Sequence, residues 1–116
     1  MDKDAINKEY IDIEDALKRI GGNEGLYKKL LTRFIEGNYL DLLCAAIDNG
    51  DMEEAARAAH TLKGVSANLS LVKVQSVSTE LEHAIKEGQD HTGKLDELKQ
   101  AADATMEQIT GIMNQG

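Results

Sequence analysis

No proline and no tryptophan occur in these 116 residues, and aromatic side chains make up only 3% of them. Strands draw on aromatic and β-branched side chains, so this scarcity argues against sheets. Abundant Ala, Leu, Glu and Lys point instead to helices joined by short turns, an all-α fold. Positive charge is also short: 13 Lys and Arg against 21 Asp and Glu leave a formal net charge of −8. Without a basic stripe, the chain is expected to bind neither nucleic acid nor an anionic membrane surface. No apolar run approaches the roughly 18 residues a membrane span needs, and the opening MDKDAINKEY lacks the apolar stretch of a signal peptide. A cytoplasmic location is expected. A single cysteine excludes an internal disulfide. Cys44 lies among Leu42, Leu43, Ala45, Ala46 and Ile47, and reads as a small buried apolar residue rather than a nucleophile.

What is present is helical punctuation. The length suits one domain, 1–116, with one core, and there is no internal repeat or dividing linker. Asp12 is a candidate N-cap for a short first helix with Ile13, Ala16, Leu17 and Ile20 on one face and a Gly-Gly stop. Asn23 caps a second helix, where Tyr27, Leu30, Leu31, Phe34 and Ile35 form an apolar face that Leu42, Leu43, Ala46 and Ile47 continue; Gly37 is placed to kink or divide it. Asn49-Gly50 is a turn signal, and Asp51 then caps a third helix with Glu53 and Glu54 in its first turn. A fourth helix follows from Leu71, Val74, Val77, Leu81, Ala84 and Ile85, ending near Gly88. Leu95, Leu98, Ala102, Thr105, Ile109 and Ile112 mark the seam of the last. These long amphipathic helices, closely connected, predict an antiparallel four-helix bundle with a short additional N-terminal helix.

On the third helix Met52, Ala55, Ala59, Leu62, Ser66 and Leu69 share one seam, and His60 falls more than a quarter-turn away, facing solvent. Around His60, at steps of three and four, stand Ala56, Lys63, Gly64 and, further along, Ala67: small residues beside one cation, leaving room for another protein. Glycine in mid-helix costs about 1 kcal/mol relative to Ala, so Gly64 needs a reason outside the fold. A phosphorylatable imidazole requires a ring nitrogen free to attack, an open approach and a positive group to meet the phosphoryl oxygens. His60, Gly64 and Lys63 are candidates for those three needs. The second ring nitrogen requires an acceptor to fix its tautomer, and Glu82, just off the Leu81 seam, is the candidate; its alternative reading is a solvated surface carboxylate.

The run AHTLKGVSANLSL resembles the signature of histidine phosphotransfer (HPt) domains, and the resemblance extends from about Ile11 to Ile112. It includes the Ile-Asp step near the start, the helix of Leu31 and Phe34, the Asn-Gly-Asp turn and the Leu81-Glu82 pair. It implies that His60 is phosphorylated on an exposed helix of a four-helix bundle, that Lys63 supports the phosphate, and that Glu82 contacts the imidazole. The implied function is a relay of phosphoryl groups between His60 and aspartates of response-regulator receiver domains, supplied by a hybrid sensor kinase. The chain itself is expected to be a monomeric carrier with no cofactor, Mg²⁺ belonging to the receiver. One departure is Leu69-Ser70-Leu71, where the family commonly has a glycine followed by alanine. Ser70 is expected either to cap the next helix or to accept the turn's geometry.

Three competing readings are weaker. The acceptor domain of a sensor kinase has an acidic residue after its histidine and a proline nearby, whereas Thr61 follows His60 here and proline is absent. The chain is too short for a nucleotide-binding catalytic domain beside a phosphate acceptor, and its glycines form no nucleotide box, so autonomous kinase activity is not expected. His60, His83 and His91 lack the spacing of a helical metal site. The remaining alternative is a helical adaptor that binds signalling partners without phosphoryl transfer.

Overall fold

The computed structural model describes residues 6–114; the first five residues of the MDKDAINKEY segment, like the last two of the chain, lie outside the described residues. Six helices occur among the described residues: α1 (Ile13–Arg19), α2 (Glu24–Glu36), α3 (Tyr39–Asp48), α4 (Met52–Asn68), α5 (Val72–Lys86) and α6 (Thr92–Met113). They form an elongated body with extents of 43 × 21 × 21 Å. The packing of α4 against α5 is the most extensive; α3 flanks α4, α6 flanks α5, and α2 reaches α6.

The helix starts follow side-chain chemistry. Asp12, Asn23 and Asp51 each accept a hydrogen bond from a first-turn backbone N–H, at 3.1, 2.9 and 3.1 Å, satisfying donors that have no partner inside the helix. At the Asn49-Gly50 turn, Gly50 has φ +71°, a left-handed conformation that glycine adopts without steric cost. The second predicted helix is divided rather than kinked. Gly37 ends α2, Asn38 takes φ +51°, and α3 begins at Tyr39, whose ring stacks on Phe34 at 5.7 Å between centroids. A Cβ on Gly37 would meet the Tyr39 ring, its Cζ at 2.7 Å, so the close approach of that ring, and not the backbone with its ordinary φ of −70°, calls for glycine here.

The core is built from Tyr27, Leu31 and Leu43, the α4 seam of Ala55, Ala59 and Leu62, the α5 stripe of Val74, Val77 and Leu81, and Leu98, Ala101, Ile109 and Ile112 of α6. Several sequence expectations are corrected at its edges. Ile35 and Leu42 are exposed: Ile35 lies in the last turn of α2, beyond the buried Tyr27 and Leu31, and Leu42 follows the break at Gly37 and Asn38, after which the core face runs through Leu43 and Ala46. Met52, expected on the buried seam, is the first residue of α4 and stands partly in solvent. On α6 the seam passes through Ala101, with Ala102 beside it only half-buried. Cys44 is half-buried, and burial pushes its thiol up.

The α4–α5 connection is tied from outside. Ser70 has φ +56° in the left-handed region, where the family's usual glycine is unstrained. It does not cap α5, whose N-cap is Leu71 without a side-chain bond. Instead its hydroxyl donates to Asp15 Oδ2 at 2.6 Å, and its carbonyl accepts from Asp12 N at 3.0 Å. The Tyr27 hydroxyl donates to the Leu69 carbonyl at 2.8 Å. Three long-range bonds therefore hold this turn against α1 and α2.

Candidate functional site

Midway along α4, Ala55, Ala59 and Leu62 bury one face, and that rotation carries His60 outward, its side chain 64% exposed. Opposite it on α5, Glu82 flanks Leu81 and Ile85 on the buried stripe and is only 7% exposed in its side chain. A buried carboxylate needs compensation, and three donors supply it. His60 Nδ1 lies 3.0 Å from Oε2, Lys63 Nζ 2.9 Å from Oε1, and Lys86 Nζ 2.8 Å from Oε2. Burial pushes the Glu82 carboxyl up, but the hydrogen bonds from Lys86 and Lys63, the charge of Lys63 and the bond from His60 outweigh it and hold the group down at about 2.

That protonation state fixes the imidazole. An ionised carboxylate can only accept, so Nδ1 of a neutral His60 must carry the proton, leaving the lone pair on Nε2. The ring thus presents a nucleophilic nitrogen at its outer edge, beside two lysines and one carboxylate whose charges sum to one positive unit in a chain of net −8. No group of three or more His, Cys, Asp or Glu placed to hold a metal occurs among the described residues.

The three residues singled out for chemistry, His60, Lys63 and Glu82, are thus within one hydrogen-bonded cluster. The residues expected to form a docking patch divide. Ala56 lines a groove of about 580 Å³ that runs from His60 toward the start of α4, with Met52, Arg57, Ile85 and Lys86 among its walls. Gly64 and Ala67 lie on the other side of His60 and do not line it. At Gly64 an added Cβ would meet nothing within 4 Å, so the space above it is open. Arg57 is committed to its own helix, in ion pairs with Glu53 and Glu54. Lys86 was missed by sequence reasoning. The available signal was its position four residues after Glu82, the favourable order for an acid and a base on one helix.

The family model of the Hpt domain matches residues 29–110, most of the chain, and that span includes His60, Lys63, Glu82 and Lys86. No curated protein and no solved structure matches the chain. The chain belongs to the Hpt domain family. Domains of this family take part in histidine phosphotransfer in two-component phosphorelays, as phosphocarriers rather than kinases, and interact there with receiver domains and kinases. No helix among the described residues is long and apolar enough to cross a membrane.

Proposed function

We propose that this chain is a phosphoryl shuttle in which His60 exchanges the group with aspartates of response-regulator receiver domains, charged in turn by a hybrid sensor kinase. The observation that carries the reading is the pairing of His60 Nδ1 with buried Glu82, which leaves Nε2 as the outward nucleophile. In the forward step the Nε2 lone pair attacks the phosphorus of the receiver's phosphoaspartate. An N–P bond forms as the P–O bond breaks, and its electron pair leaves with the aspartate carboxylate. The ring keeps its Nδ1 proton and becomes cationic, which the Glu82 carboxylate stabilises, while Lys63 turns toward the phosphoryl oxygens. Return transfer is the reverse. In this proposal the receiver contributes its aspartate and Mg²⁺, and the chain acts as one domain, 1–116, an antiparallel four-helix bundle working as a cytoplasmic monomer without a cofactor.

The test is direct. The purified chain should take no label from ATP and should acquire acid-labile, alkali-stable phosphate from a phosphorylated receiver. His60→Gln should remain folded and unlabelled, and Lys63→Ala should fold normally and transfer more slowly. Full labelling of His60→Gln would sink the assignment. A chain that binds receivers yet accepts no phosphate would be an adaptor.

A further inference from the structure

Two lysines on one carboxylate is more than charge balance requires, and the two are not equivalent. Lys63 shares α4 with His60, one turn away, and its partner is Glu82 Oε1 at 2.9 Å. Lys86 shares α5 with Glu82, four residues on, and reaches Oε2 at 2.8 Å, the same oxygen that takes His60 Nδ1. Its place in the last turn of α5 adds the attraction of the helix's negative end. Lys86 is thus held at Glu82 by its own helix, without help from His60 or α4.

Phosphorylation changes what Lys63 must do. At rest its ammonium is engaged by Glu82 Oε1, so a phosphoryl group on Nε2 would compete with that carboxylate for it. A carboxylate as buried as Glu82 cannot be stripped of its cation without a large desolvation cost. The nearby guanidinium of Arg57 is occupied by Glu53 and Glu54, which leaves Lys86 to neutralise the site. We infer that Lys86 is the resident counter-ion of Glu82, staying on the carboxylate while Lys63 turns to the phosphoryl group, and so serves as a positioning residue for transfer. This rests on His60 being the phosphoacceptor.

A double-mutant cycle with a small donor tests it, because phosphoramidate needs no docking surface. In the parent background Lys86→Gln should slow phosphoramidate labelling of His60 several-fold and shorten the lifetime of the phosphohistidine, with the fold intact by circular dichroism. Lys86→Arg should restore both. In a Glu82→Gln background, where the amide carries no charge to neutralise, Lys86→Gln should have no further effect. Equal losses in both backgrounds would show that Lys86 acts on the phosphoryl group itself, and no loss in either would place it on an inert surface; each overturns the inference. If the parent takes no label at His60 from phosphoramidate or from a receiver, the phosphoacceptor reading falls and the role of Lys86 falls with it. Normal parental labelling with an unaffected Lys86→Gln removes the Lys86 role alone.

Discussion

Two carboxylates organise two regions of this molecule in opposite ways. Glu82 is buried and gathers an imidazole and two ammonium groups, yet His60, whose ring it contacts, is exposed. Asp15 is half-exposed and takes the Ser70 hydroxyl at 2.6 Å and the Arg19 guanidinium at 3.1 Å, and the residue it anchors, Ser70, is buried. Both carboxyls are held below their ordinary values, Asp15 by the Ser70 hydroxyl first and then Arg19, Glu82 by its lysines and His60 against burial. A lowered carboxyl alone therefore does not mark a functional site. The difference lies in what the partner is free to do: Ser70 is locked into a turn, and His60 keeps an exposed ring whose Nε2 is the nucleophile in the proposed function.

The largest expected effect separates the two regions by function. Glu82→Ala should slow receiver transfer at least about tenfold, about 1.4 kcal/mol in the barrier, since it removes both the tautomer lock and the charge facing the phosphorylated ring. Glu82→Gln should lose less, because the amide oxygen still accepts from Nδ1. Asp15→Ala should lower the melting temperature and leave the transfer rate unchanged. A transfer defect in Asp15→Ala matching that of Glu82→Ala would erase the distinction.

The next test concerns Ser70. Ser70→Ala keeps a left-handed backbone and loses the bond to Asp15, so it should melt lowest of the three forms. Ser70→Gly loses the same bond but relieves about 1–2 kcal/mol of left-handed strain, and should lie close to the parent. Thermal melts of both variants decide this, and a glycine variant as weak as the alanine one would mean that φ at position 70 carries no strain.

Acid titration sharpens the comparison further. The Glu82 carboxyl is held at about 2 in the folded chain against an ordinary value of 4.5. Because the folded value is depressed, its contribution to stability is full above about pH 4.5 and is lost as the pH falls toward about 2. Urea unfolding across that window should show a shallower decline for Glu82→Gln than for the parent; parallel curves would mean that the cluster contributes nothing to stability. Smallest in magnitude, Gly64→Ala should raise stability by up to about 1 kcal/mol, since the added methyl meets open space and removes glycine's backbone entropy. Gly64→Gln should impair receiver transfer more than phosphoramidate labelling if the open space above Gly64 receives a partner.

Much of this was legible in the residues because periodicity and capping are local. Asp12, Asn23 and Asp51 announced three helix starts, and the seam through Ala55, Ala59 and Leu62 was enough to turn His60 outward. A helical wheel fixes rotation only relative to its own helix, which is why Glu82 had two readings until α5 was packed against α4. Lys86 escaped notice for a related reason: its spacing from Glu82 is common on surface helices, and only burial of the carboxylate makes the pair consequential. Leu42 misled because the break after Gly37 resets the phase of the apolar face, and Ile35 because it falls in the last turn of α2, past the end of that helix's buried stripe. The Ser70 bond to Asp15 joins positions 55 residues apart, beyond the reach of any local pattern.

That span, set against the 22 residues between His60 and Glu82, also bears on the order of folding. Closing the shorter loop costs less conformational entropy, by about 0.8 kcal/mol for flexible chains. The imidazole and its carboxylate belong to two consecutive helices that pack more extensively than any other pair, so they can meet as soon as α4 and α5 close on each other. If the pairs form in that order, docking of α1 onto Ser70 closes over a hairpin in which His60 and Glu82 are already in register.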